Sequence, residues 1–309
     1  MTKTRLSLLN DLFQRWCGES IVSINKLPAS GSPREYYRIK GDKSRAIGAI
    51  NLDREENTAF IEFSRHFYSL GLCVPEIYLV DLENHAYLQQ DLGDVTLFDH
   101  IFKVRDNGTF PDGLIDIYKQ VLTALQKFQI TGSEGLDYSV CYPRSSFDRQ
   151  SMQWDLSYFK YYFLKLADVP FNEQQLENDY NTLIEYLQGQ DTNYFLYRDF
   201  QSRNVMLRDG KPCFIDYQGG RKGALQYDVA SLLYDSKADI PRAVREELLE
   251  HYITGLANYP SVDAEKFRES YYPYVLIRIM QAMGAFGFRG FYEKKIHFLQ
   301  SIPLSLIHI

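Results

Sequence analysis

Cysteine is scarce in this chain, and the four present, Cys17, Cys73, Cys141 and Cys213, stand far apart with no Cys-x-x-Cys pair. That spacing argues against a zinc site and against a disulfide framework, and it fits a reducing cytoplasm. No apolar run approaches the ~18 residues needed to cross a bilayer, so no membrane partner is expected. The N-terminus lacks the apolar core of a signal peptide. Excess positive charge is missing too: the formal net charge is −6, which gives a nucleic-acid partner no bulk electrostatic support. Internal repeats and low-complexity segments are absent. What remains is an ordinary globular composition, 45% hydrophobic and 24% charged over 309 residues, enough for two lobes with a sizeable core.

One stretch organises the rest. Residues 194–216 read as strand, polar loop, strand, tight turn, strand. Asp209-Gly210 between two apolar runs is a two-residue hairpin signal, because glycine takes positive φ without steric cost. Folding the chain there sets Arg208 opposite Lys211, Leu207 opposite Pro212 and Val205 opposite Phe214. Asn204 then meets Asp216 at the open end of the hairpin, while Asp199 hangs in the loop that leads into it. Asn204 and Asp216 are hard oxygen ligands suited to Mg²⁺. Asp199 is placed to take a proton from an incoming hydroxyl. A loop Asp, an Asn five residues later and a metal-binding Asp after the next strand is the pattern of kinase-type phosphoryl transfer.

This stretch resembles the catalytic core of the aminoglycoside phosphotransferase and choline kinase superfamily, small-molecule relatives of the protein kinases. The resemblance covers about residues 20–290. It implies an α+β, two-lobe protein-kinase-like fold, with a β-rich nucleotide-binding lobe over 1–91 and a larger helical lobe over 92–309. It also implies ATP and Mg²⁺ as cofactors. Tyr197 stands where the family usually has His, and with Arg198 it is expected to support the loop. Asp228, in Tyr227-Asp228-Val229-Ala230-Ser231-Leu232-Leu233, is expected to brace that loop rather than touch substrate.

Upstream, a helix is expected over 4–17, followed by strands near Ile21–Leu27 and Tyr36–Ile39. Ser30, Gly31 and Ser32 lie in the small-residue loop between those strands and are candidates to cover the ATP phosphates. The strand Ser44–Asn51 carries no lysine at its centre, where a protein kinase has its phosphate-clamping Lys. Glu62, on the helix expected over 55–70, reads as solvated. The run from Ala86 into Asp91-Leu92-Gly93 resembles the inter-lobe hinge, with adenine expected near Gln89, Gln90 and Leu92.

Ser146 is expected to cap a helix that carries Asp148 and Asp155 on one face. Phe147-Asp148-Arg149 with Asp155-Leu156 resembles a segment of bacterial kinases that phosphorylate the anomeric hydroxyl of N-acetylmuramate and N-acetylglucosamine. This makes Asp148 and Asp155 candidates to face substrate, and Arg221, in the loop after Asp216, a candidate for phosphate or a substrate carboxylate. The acceptor is therefore expected to be an amino sugar of cell-wall recycling. A choline-like or aminoglycoside acceptor is the alternative, and a nucleotide-binding pseudokinase is the reading outside the enzyme class. Leu304–Ile309 match the translation of a library adaptor, so the natural chain is expected to continue past about Pro303, with a further C-terminal domain.

Overall fold

The computed structural model describes residues 4–28, 33–105 and 109–306. Ser30, Gly31 and Ser32 fall outside them, and of the tail from 304 only the backbone of 304–306 falls within.

The first lobe is a five-stranded antiparallel sheet. Its strands are β1 (Ser23–Lys26), β2 (Glu35–Lys40), β3 (Arg45–Ile50), β4 (Ile77–Asp81) and β5 (Ala86–Gln89), in the order β1-β2-β3-β5-β4. Helix α1 (Arg5–Cys17) is capped by Thr4, whose hydroxyl accepts from the Ser7 N–H, and it ends on Gly18 at φ 76°. Alternation along β2 sorts its side chains by face. Tyr37 and Ile39 join Leu9, Leu12 and Phe13 of α1 in a small core, while Tyr36 and Arg38 turn toward the cleft.

Helix α2 (Arg54–Ser69) is capped by Asp53 and packs between the lobes. Phe60 stacks on Tyr217 at 5.2 Å, Phe63 meets Phe195 edge-on at 5.5 Å, and Phe67 meets Phe128 edge-on at 4.8 Å. Each buried ring contributes about 2 kcal/mol of transfer free energy, so this aromatic seam fixes how α2 sits over the second lobe.

The second lobe is helical: α3 (Leu97–Val104), α4 (Asp112–Gln129), α5 (Arg149–Phe159), α6 (Glu173–Gln188), α7 (Leu225–Leu233), α8 (Arg242–Gly255), α9 (Ala264–Gly287) and the short α10 (Ser301–Leu306). The apolar positions read at three- and four-residue spacing, Leu114, Tyr118, Val121, Leu122, Leu125 and Phe128, form the buried face of α4. Helix α9 passes close to α5 because Gly284 has no side chain there; a Cβ would lie 2.9 Å from the Phe159 nitrogen. Two small antiparallel pairs complete the lobe: β6 (Tyr194–Leu196) with β9 (Arg221–Gly223), and β7 (Val205–Arg208) with β8 (Lys211–Phe214). The β7–β8 register is the one read from the sequence, Arg208 against Lys211 and Val205 against Phe214. Between the lobes, β5 ends at Gln89 and α3 begins at Leu97.

Two local expectations are corrected. The cap of α5 is Asp148, not Ser146: its carboxylate accepts the Ser151 N–H at 3.0 Å. And the cysteines are not all free. Cys73, before β4, is bonded to Cys213 of β8, with a Cα–Cα distance of 4.6 Å, leaving Cys17 and Cys141 as thiols. A separation of 140 residues leaves no trace in motif spacing; only the fold brings the pair together.

Thiol titration of the unreduced, denatured protein is therefore expected to count two cysteines, and four after reduction. Reduction, or Cys73→Ser, should lower stability by roughly 2–4 kcal/mol in denaturant unfolding, as for a bond closing a long loop. A count of four before reduction would show that the pair does not form.

Candidate active site

Backbone hydrogen bonding builds the site. The loop after β6 turns through Arg198 at φ 81°, a left-handed conformation that costs a non-glycine residue about 1–3 kcal/mol. The fully buried Asp228 of α7 holds it there: its two carboxylate oxygens accept the N–H of Tyr197 at 2.7 Å and of Arg198 at 3.0 Å. Gln129 adds a third donor at 3.2 Å. Burial pushes the Asp228 pKa up to about 7, against the downward pull of these donors. Tyr197 is fully buried and donates its hydroxyl proton to the Ile215 carbonyl at 2.6 Å, tying the loop to the residue before Asp216.

Asn204 joins the three residues singled out for chemistry. Its amide donates to the Asp199 carbonyl at 2.8 Å and to the Asp216 carboxylate at 3.2 Å. Asp216 also accepts from Gln218 Nε2 at 2.7 Å. Burial and the neighbouring Asp199 raise the Asp216 pKa, while Gln218 and Arg34 pull the other way. A divalent cation on Asn204 and Asp216 would relieve that charge crowding. Among the described residues no cluster of three or more His, Cys, Asp or Glu exists to cage a metal. Two protein oxygens are a donor set for Mg²⁺, which keeps its waters and shares them with phosphates.

Asp216, Asn204 and Gln218 close the deep end of a cavity of about 390 Å³ between the lobes. Its other end is the hinge, where Gln89, Gln90 and Leu92 lie, with Ile47, Met206 and Ile215 as apolar walls. Two buried amide oxygens at this cavity, Gln89 Oε1 and Gln218 Oε1, have no hydrogen-bond partner among the described residues. An unpaired buried acceptor costs about 1–3 kcal/mol, so both fit a site made for a flat, polar, phosphate-bearing ligand such as ATP. Arg38 of β2 braces the hinge through an ion pair with Asp91 at 2.9 Å and another with Asp94.

The three residues read as facing substrate are engaged elsewhere. Asp148 caps α5 and pairs with Arg144. Asp155 is buried in a bidentate pair with Arg198, at 2.6 and 2.8 Å. Arg221 is a buried residue of β9 rather than of a loop; it donates to the Gly219 carbonyl at 3.0 Å, and burial together with Arg198 lowers its pKa.

A second cavity, of about 200 Å³, opens on the other side of Asp199. Arg203, Lys237, Arg278 and Arg289 stand in its wall with Asp199 and Asp235. Arg278 is buried; it donates to Ser231 Oγ at 2.9 Å and to Gln281 at 2.9 Å. None of these basic residues was singled out from the sequence. The available signal was Arg278 itself, a charge inside the apolar run Val275–Met280.

Residues 23–264 match the phosphotransferase enzyme family. The chain is similar to the N-acetylmuramate/N-acetylglucosamine kinase of Pseudomonas aeruginosa, 25% identical over 80% of this chain and 70% of that one. The protein of the same name from Neisseria meningitidis is 27% identical over 66% of this chain and 58% of its own. Among solved structures, choline kinase LicA from Streptococcus pneumoniae superposes with a TM-score of 0.62 at 14% identity, over 97% of both chains. The aminoglycoside phosphotransferase APH(4)-Ia, in complex with ADP and hygromycin B, superposes at 0.57 and 12%, over 96% of both. With more than three quarters of its length matched, this chain belongs to the phosphotransferase enzyme family.

Proposed function

We propose that this phosphotransferase is an ATP- and Mg²⁺-dependent kinase of the anomeric hydroxyl of an amino sugar, acting in cell-wall recycling. The observation that carries the acceptor class is the charge of the cavity beside Asp199. Arg203, Lys237 and Arg278 stand there against Asp199 and Asp235, with Arg289 paired to Glu293, a basic excess that suits an acceptor bearing a carboxylate and disfavours choline or an aminoglycoside. N-acetylmuramate has such a carboxylate, on its lactyl ether, and the names of the curated relatives agree with this choice.

In this reading the lobes meet near 91/92 and the adenine end of ATP lies along Gln89, Gln90 and Leu92. Asn204 and Asp216 hold Mg²⁺, and bound Mg²⁺–ATP supplies the phosphoryl group. Asp199 orients the acceptor hydroxyl and takes its proton. Asp228, Tyr197 and the Arg198–Asp155 pair hold the loop that carries Asp199. Arg278 and its basic neighbours hold the acceptor's carboxylate. Catalysis of this kind rests on positioning and charge neutralisation.

An ATP-consumption assay across acceptors tests the reading. Turnover is expected on N-acetylmuramate and N-acetylglucosamine, with the product losing its reducing end, and not on choline or an aminoglycoside. Arg278→Gln should raise the KM for N-acetylmuramate more than that for N-acetylglucosamine. Turnover confined to cationic acceptors would overturn the assignment. Asp199→Asn should lower kcat by roughly a thousandfold or more, several kcal/mol of barrier, while ATP titration by calorimetry stays unchanged. Because the Asp216 pKa is raised, this carboxyl takes up its proton at a higher pH than an ordinary carboxylate as the solution is acidified. The Mg²⁺ concentration for half-maximal rate, measured at saturating ATP, should therefore start to rise on acidification at a higher pH than an ordinary carboxylate ligand would give.

A further inference from the structure

The central strand of the first lobe has no lysine: Ile47, Gly48 and Ala49 occupy the middle of β3. A cation nevertheless reaches the phosphate end of the cleft. Arg34 lies one residue before β2 and lines the same cavity as Tyr36 and Arg38, its i+2 and i+4 neighbours. It is almost fully buried. Its Nη2 sits 3.1 Å from Glu56 Oε1, and Nη1 donates to the Tyr36 hydroxyl at 3.1 Å. The guanidinium also rides over the Phe60 ring, 5.6 Å from its centre.

Glu56 is held for this contact from both sides. It lies in the first turn of α2, where Asp53 accepts its N–H at 3.0 Å, and Asn51 at the end of β3 donates to its Oε2 at 2.7 Å. Gln218 Nε2 lies 3.4 Å from Glu56 Oε1 and 2.7 Å from Asp216 Oδ1. A continuous polar chain thus runs Arg34, Glu56, Gln218, Asp216, from the first lobe to the carboxylate assigned to Mg²⁺.

We propose that Arg34, held by Glu56, is the cation that clamps the nucleotide phosphates, delivered from β2 in place of a lysine on β3. The inference rests on the reading of the inter-lobe cavity as an ATP site. Three things favour it: a fixed positive charge in the cavity that Asn204 and Asp216 line, a carboxylate partner on the helix that packs between the lobes, and a polar chain that joins it to Asp216, whereas Arg38 in the same lining is held by Asp91 and Asp94. A guanidinium presents its N–H donors in a planar fork that matches phosphate oxygens. It follows that Glu62, which pairs with Arg65 on the surface, takes no part.

Calorimetric titration of the full chain with Mg²⁺–ATP and, separately, with adenosine tests this, because adenosine fills the hinge end and carries no phosphate. Arg34→Met is expected to weaken ATP by roughly tenfold or more, the loss of a charge-assisted contact, and to leave adenosine within about twofold. Arg34→Lys should recover part of the ATP affinity, and kcat on N-acetylglucosamine should follow the same order. Glu56→Gln should lower the ATP-to-adenosine affinity ratio, and adding it to Arg34→Met should cost less than the sum of the two. If Arg34→Met unfolds, by loss of a cooperative thermal transition, Glu56→Gln alone decides: an unchanged ratio overturns the proposal. Equal weakening of ATP and adenosine by Arg34→Met, or no weakening of either, also overturns it while leaving the ATP site standing. Wild-type protein that binds neither ligand overturns both readings.

Discussion

The carboxylate of Asp228 is the fixed point of this active site. It is buried, it receives the N–H groups of two consecutive residues, and it lies on a helix whose residues are buried from Leu225 to Leu233. Those two hydrogen bonds hold Arg198 in a backbone conformation it would not otherwise keep. With the backbone turned that way, the Arg198 side chain reaches back to Asp155 and Tyr227, and the next residue, Asp199, lies in the wall of the second cavity. Asn204 then closes the loop on itself through the Asp199 carbonyl. Losing the Asp228 contact would free the strained turn and let every one of these distances drift.

Charge is divided between two compartments. Acidic groups meet at the junction of the lobes, where Asp199 and Asp216 stand close enough to raise the Asp216 pKa. Basic groups surround them, Arg34 on the sheet side and Arg203, Lys237, Arg278 and Arg289 on the helical side. The chain carries net charge −6, so this local reversal is a property of the site and not of the composition. Phosphoryl transfer asks for such an arrangement: repulsion among phosphates has to be met locally, in a partly dry cleft where each charge counts for more than in water.

Much of this was legible where short-range chemistry decides the outcome. Asp209-Gly210 set the hairpin register, and the register alone brought Asn204 to Asp216. Most of what failed to show depends on residues distant in sequence that meet only when the chain folds; the cap on α5 is the local exception. The face of α5 promised Asp148 and Asp155 to a ligand, but an N-cap consumed the first and a guanidinium arriving from a strained turn consumed the second. The partner of the missing lysine was hidden for the same reason. Arg34 and Glu56 are separated by two strands, and nothing in their immediate sequence marks them as a pair. The basic cavity gathers Arg203, Lys237 and Arg278 from three distant parts of the chain.

The Cys73–Cys213 bond bears on how the two lobes can move. Cys73 belongs to the first lobe and Cys213 to the β7–β8 hairpin of the second, and the Phe214 N–H donates to the Cys73 carbonyl at 2.7 Å. The lobes are thus tied at this edge by a covalent bond and a backbone hydrogen bond, beside the connector between Gln89 and Leu97, while on the other side of the cavity the rings of α2 hold them together. The nucleotide cavity is bounded by two unlike fastenings, one of bonds fixed in length and one of ring contacts that can slip past one another, and Glu56 with Gln218 stands on the side of the rings.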